Sequence, residues 1–184
     1  LTLSNSTNAT PDEQYVTKLI PAVGYMAPAK SAVSVAIGST VYTGFTYTQN
    51  SDATGTLTIP QGAVTGNVVI TASGVARSKF TVSITPQNAE DGWYVTTERY
   101  VQGVLTTVHL SDGDSIYDGE TLQYYAKAKP GYLTTSGKAV VSGDIVIHSD
   151  ITITLKFQSN ATYTVSANMT GLTFTGASSA THGT

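Results

Sequence analysis

Apolar and polar positions alternate with a period of two along much of the chain. Such alternation sends successive side chains to opposite faces of an extended backbone, which marks a strand half-buried against a core. It is clear at Ala32–Ala36, Thr56–Pro60, Asn67–Ala72, Lys79–Ile84, Gly103–Leu110, Thr121–Ala128 and Asp150–Phe157, and again at Thr162–Ala167 and Gly171–Thr175. Breakers punctuate these runs: Gly38, Pro60, Thr65-Gly66-Asn67, Pro86, Asp112-Gly113 and Asp118-Gly119. Proline cannot donate to a strand ladder, so Pro60 and Pro86 predict strand ends. Asp-Gly pairs predict tight turns. No window carries an amphipathic helix of three turns. Turn signals recur at the short spacing of a β-sandwich, not of strand-helix-strand units. The expectation is an all-β chain of two sandwich-like modules in tandem, roughly 1–76 and 79–158. A short, stiff linker around Gly74–Ser78 joins them, and 159–184 forms a C-terminal strand segment.

The runs also repeat. Tyr15–Tyr25 and Tyr124–Tyr132 each read as a strand, a Pro/Gly turn, an aromatic and a second strand. Ala63–Ala72 is similar to His148–Leu155, so each module closes on a turn and an amphipathic strand. At the ends, Leu1-Thr2-Leu3-Ser4-Asn5 is similar to Leu172-Thr173-Phe174-Thr175-Gly176. This likeness carries two expectations. Either 159–184 holds the opening strands of another copy of the first module in a longer array, or it completes an open sandwich edge of this chain or a neighbour by strand exchange. The chain opens at Leu1 and not at Met, which reads as a processed chain or an excised fragment.

Composition sharpens the class. Charged residues make up only 11% of the chain, far below an ordinary soluble domain, and 31 threonines and 18 serines take their place. Threonine and valine favour strands, while the helix-building residues are sparse. The net charge is −3 and the nine Lys and Arg are scattered, so no basic stripe predicts a nucleic-acid partner. No apolar run reaches the length of a membrane span. With no cysteine, thiol chemistry and a disulfide-stapled scaffold are both excluded.

Val33–Val75 resembles an Ig-like repeat of the kind common in surface proteins of gut Gram-positive bacteria and in tail, fibre or head-decoration proteins of their phages. The resemblance is carried by Pro-x-x-Gly-Tyr at Pro21–Tyr25, Gly-x-Leu-x-Ile-Pro at Gly55–Pro60, and Val64–Ala72. Residues 103–157, with Asp118–Tyr132 (DGETLQYYAKAKPGY) and Ser149–Phe157 (SDITITLKF), are similar to the β-grasp-like B repeats of internalins. Leu133-Thr134-Thr135 stands where such repeats often carry tryptophan. The resemblance implies an extracellular or virion location and a non-catalytic structural or adhesive role as stalk, spacer or assembly subunit. Its implied partners are neighbouring repeats or other copies of the chain, joined by β-strand pairing.

Three constellations are candidates for chemistry. Asp112, Asp114, Asp118 and Glu120 are closely spaced carboxylates of the kind that supply oxygens to Ca²⁺, although the spacing is not an EF-hand loop. The alternative is a pair of Asp-Gly turns with solvated carboxylates. Trp93, Tyr94 and Tyr100 are candidates for an aromatic platform that stacks on the sugar rings of a cell-surface glycan. The alternative places aromatics in the core and at turn corners. Tyr124 and Tyr125 are adjacent on one strand and must point to opposite faces. His109, His148 and His182 lack a metal-ligand spacing, and no nucleophile elbow is present, so no enzyme is expected. Finally, Lys18 or Lys156 with Asn67 or Asn168 would supply the residue types of an intramolecular Lys–Asn crosslink.

Overall fold

A computed structural model describes residues 1–5 and 9–160, together with the backbone of the strands Thr162–Thr164 and Ser179–Thr181. The chain is all-β. Its one helical element among the described residues is a single 3₁₀ turn at Lys30–Ala32. No helix among these residues is long and apolar enough to cross a membrane. The expected alignment of Leu172–Gly176 with the N-terminus lies outside the described residues, as do Asn168 and His182.

Through Ala76 the described residues hold nine strands, the last within the linker: β1 (Thr2–Leu3), β2 (Tyr15–Ile20), β3 (Tyr25–Met26), β4 (Val33–Ile37), β5 (Thr40–Val41), β6 (Thr46–Gln49), β7 (Gly55–Ile59), β8 (Val68–Ala72) and β9 (Val75–Ala76). They form an antiparallel sheet β1-β2-β7-β6, a second antiparallel sheet β5-β4-β8, and a small β3-β9 ladder. The two larger sheets close on one cluster. Tyr15 and Leu19 of β2 and Leu57 and Ile59 of β7 meet Val33 and Val35 of β4, with Phe45 and Val64 contributed by loops. The alternation in β2 and β7 is what permits this, since every second residue points to the same interior.

The next nine strands are β10 (Lys79–Gln87), β11 (Tyr94–Val101), β12 (Val104–His109), β13 (Ser115–Tyr117), β14 (Thr121–Lys127), β15 (Tyr132–Leu133), β16 (Val140–Val146), β17 (Ile151–Lys156) and β18 (Gln158–Ser159). An antiparallel sheet β12-β11-β14-β16 faces a three-stranded sheet β13-β10-β17, in which β10 and β17 run parallel. Between the sheets lies a second, separate cluster: Val82, Ile84, Val95, Ile116, Leu122, Ala126, Ile147, Ile153, Leu155 and Phe157. Burying a Val, Leu, Ile or Phe side chain contributes about 1.5–3 kcal/mol, so the nine such positions here dominate the stability of the second unit. A last hairpin comes after it, β19 (Thr162–Thr164) with β20 (Ser179–Thr181).

One strand end differs from expectation. Pro86 does not stop β10, which runs on to Gln87 opposite Lys156. The amide of Ile84 points away from β17 and donates to the Asp112 carboxylate at 2.7 Å. Amide direction alternates along a strand, so the missing N–H of Pro86 faces that same outer side and the β17 ladder loses no bond.

Candidate functional site

The most structured polar feature is the joint between the two units. Val75–Ala76 pairs with Tyr25–Met26, and the Arg77 amide donates to the Gly24 carbonyl at 2.9 Å, which ties the linker to the first unit. The Ser78 carbonyl accepts from the Asp118 amide at 2.9 Å, which ties it to the second. Gly24 has φ +82°, a conformation that favours glycine, and its open α-carbon lies against the Tyr117 ring, where a Cβ would come within 2.9 Å of Cε1.

Arg77 and Arg99 are the chain's only arginines, and both converge on Glu120. Arg77 donates through Nε to the Asp118 carbonyl at 2.7 Å, and its Nη1 lies 3.7 Å from Glu120 Oε1. Arg99 Nη2 donates to Glu120 Oε2 at 2.8 Å, and its guanidinium lies over the Tyr117 ring. The Tyr117 amide donates to the same carboxylate oxygen at 3.2 Å. Only 5% of the Glu120 side chain is exposed. Burial lowers the Arg77 guanidinium from its ordinary value and neighbouring Arg99 adds to this, while Glu120 and Asp118 oppose it. Planar, multi-donor arginine suits such a site where lysine would not. Two guanidinium groups thus share one buried carboxylate, and the arrangement acts as a fastener.

Beside it is a cleft of about 220 Å³, bounded by the Pro21–Tyr25 turn, the Ser51–Ala53 loop, Glu98 to Tyr100, Leu105 and Gln123. Asp52 is held there by the Thr54 amide and hydroxyl at 3.1 and 2.5 Å, with the Tyr100 hydroxyl at 3.4 Å and Lys18 at 3.9 Å. Partial burial works to raise the Asp52 carboxyl, but the two bonds from Thr54, the Lys18 charge and the Tyr100 bond outweigh it and hold the carboxyl below its ordinary value.

The four acidic candidates are dispersed among separate tasks. Asp112 accepts the Ile84 amide, Asp114 accepts the Ser111 amide at 2.7 Å within its own turn, Asp118 meets His148 Nδ1 at 2.8 Å, and Glu120 holds the arginines. Among the described residues no three His, Asp or Glu side chains group as metal ligands. The three aromatic candidates are also divided. Trp93 packs against the second core, Tyr100 faces the cleft, and Tyr94 lies on the outer face of its sheet. Tyr94 stacks instead on Tyr125, its cross-strand partner, with ring centroids 5.6 Å apart and planes 19° apart. Tyr124 takes the opposite face and packs on the core. Lys18, Lys156 and Asn67 are all exposed.

Sequence reasoning placed the linker at Gly74–Ser78 but missed the Arg77–Glu120–Arg99 cluster beside it. Its one legible signal was that a lysine-using chain spends arginine twice, at Arg77 and Arg99. Comparison of the chain with protein-family models, with curated proteins and with solved structures finds no match.

Proposed function

We propose that this chain is a segment of a tandem architectural array. Its units, of Ig-like and β-grasp-like build, act as a non-catalytic stalk or spacer of an extracellular bacterial surface protein or a phage appendage. The observation that carries the reading is that the joint recurs. After the first unit, β9 closes on β3, the Arg77 amide bonds the Gly24 carbonyl at 2.9 Å, and a new strand begins at Lys79. After the second, β18 closes on β15, the Asn160 amide bonds the Gly131 carbonyl at 2.8 Å, and a new strand begins at Thr162. The turns agree as well. Gly24 and Gly131 both have φ +82°, and the Tyr25 and Tyr132 amides each bond the carbonyl three residues back at 3.0 Å.

The strands beyond the two joints are also alike. β19 pairs with β20 as Thr162↔Thr181, Tyr163↔Ala180 and Thr164↔Ser179, and β10 pairs with β13 in the same pattern, Lys79↔Tyr117, Phe80↔Ile116 and Thr81↔Ser115. The residues correspond, with Phe80-Thr81-Val82-Ser83 against Tyr163-Thr164-Val165-Ser166, and Ser115 and Gly119 against Ser179 and Gly183. By this correspondence 162–184 is the opening of a further unit of the array. A chain that closes one unit and opens the next by one device suits repetition, and a joint tied on both sides sets direction as well as distance. Small-angle scattering tests this. The expected result is one fixed arrangement of the two units, loosened in Arg77→Ala. Two freely pivoting bodies in the parent protein would overturn it.

A second reading, a glycan-binding module, is favoured by the outward Tyr94–Tyr125 stack. It requires that retention on an immobilised cell-wall polysaccharide be lost in the double variant Tyr94→Ala, Tyr125→Ala.

A further inference from the structure

We infer that the second unit is a mechanical clamp that resists tension along the chain. The inference rests on the array reading for its use, because a stalk is pulled from both ends.

The first and last long strands of the unit, β10 and β17, lie side by side and parallel. Six pairs are in register, from Val82↔Ile151 to Gln87↔Lys156. The chain enters at the Lys79 end of β10 and leaves at the Lys156 end of β17, and in a parallel pair those two ends lie at opposite ends of the ladder. Tension therefore drives the strands past one another along their length. The evenly spaced, slanted bonds of a parallel ladder share that force and must break together. Two side-chain bonds and one further backbone bond extend the ladder at its ends. The Thr81 amide donates to Asp150 Oδ1 at 2.7 Å, Asn88 Nδ2 donates to the Phe157 carbonyl at 2.8 Å, and the Phe157 amide donates to the Gln87 carbonyl at 3.0 Å. Slippage is opposed from below, since Val82, Ile84, Ile153, Leu155 and Phe157 are all buried. A shift of one residue would turn each of these side chains toward solvent.

The first unit has the opposite geometry. The chain leaves it through β8 and β9, which are antiparallel to β4 and β3. Val33, the first residue of β4, pairs with Ala72, the last of β8, so tension at Ala72 opens that ladder one pair at a time. Forced unfolding is governed by the unfolding rate and not by the equilibrium stability. The first unit thus yields before the second, whatever their relative stabilities in denaturant.

The chain has no cysteine, so introduced cysteines are unique handles for single-molecule pulling. Lys79→Cys with Lys156→Cys loads the ladder in shear, and Gln87→Cys with Lys156→Cys unzips it from one end; all three positions are exposed. Equal urea midpoints establish that both variants fold like the parent. Ser78→Cys with Gln158→Cys supplies the same shear direction from outside the ladder if Lys79→Cys perturbs folding. The expected result is one abrupt rupture in shear, at a severalfold higher force than in unzipping, that lengthens the tether by about 250 Å for the roughly 78 residues between the handles. Equal rupture forces in the two directions, or rupture of the second unit before the first when the chain is pulled from its ends, would overturn the clamp. Scattering keeps the two ideas separate. A weak ladder beside a fixed joint overturns the clamp alone, and a pivoting joint beside a strong ladder overturns the array reading.

Discussion

Gln102 and Gly103 link β11 to β12, and both have positive φ, +51° and +84°. That is a hairpin turn for which asparagine-glycine is the preferred pair, and glutamine bears the strain of a left-handed conformation. Gln102→Asn is expected to stabilise the second unit by about 0.5 kcal/mol, read as a raised urea midpoint at unchanged slope. Gly55 of β7 shows the reverse constraint. It is buried under the Tyr47 ring, so an added methyl would run into the phenol. Gly55→Ala is expected to cost about 1–3 kcal/mol, as overpacking does; a neutral result in thermal unfolding would mean that Tyr47 swings away freely. Asp52 adds a pH dependence. Its carboxyl is held below the ordinary value, so its contribution is present above the unfolded value of about 3.9 and is lost as pH falls through the lower folded value. The stability advantage of the parent over Asp52→Asn should therefore shrink as pH falls below about 4, measured as the gap between their urea midpoints.

Among elements, β13 and the turn that follows it to Glu120 matter most, because they serve both the second core and the joint. Ile116 is fully buried while its neighbour Tyr117 packs on Gly24 of the first unit, and Glu120 gathers Arg77 and Arg99. Removing one partner of a buried ion cluster leaves the others uncompensated. Glu120→Gln is expected to cost about 3–5 kcal/mol, with the added signature that the two units unfold in separate transitions. A cost below about 1 kcal/mol, the scale of an exposed pair, would mean that water reaches the site.

At the scale of the whole molecule, the question is whether sheet edges stay unpaired in solution. β12 is an edge strand with Val104 and Leu105 65% and 52% exposed, an available template for strand addition. A segment of a tandem array is expected to be a monomer across a hundredfold concentration range, with and without residues 159–184. A ladder of oligomers that collapses to monomer on removing 159–184 would instead assign strand exchange to that segment.

Much of the fold was legible because alternation is a local property. β4, β7, β8, β14 and β17 all obey it, since each turns one face to a core. The pattern fails where tertiary contacts replace a local signal. β16 contains Gly143-Asp144, a pair that reads as a turn, yet it forms a strand because Tyr124 covers Gly143 from across the ladder. β11 hides behind Glu98-Arg99, whose arginine is drawn inward by Glu120. Pro86 looked like a stop because sequence does not say which side of a strand its neighbour occupies. The candidate sites were least legible. Residues close in sequence, such as Asp112 and Glu120 or Trp93 and Tyr94, were sent to different faces and partners, while Arg77, Arg99 and Glu120 were brought together. Sequence alone thus determined the all-β class and most strand positions, because the period of a strand is written in consecutive residues. Only the tertiary structure decided the joint, the parallel pairing of β10 with β17 and the partners of each charge, because these depend on contacts between residues far apart in the chain.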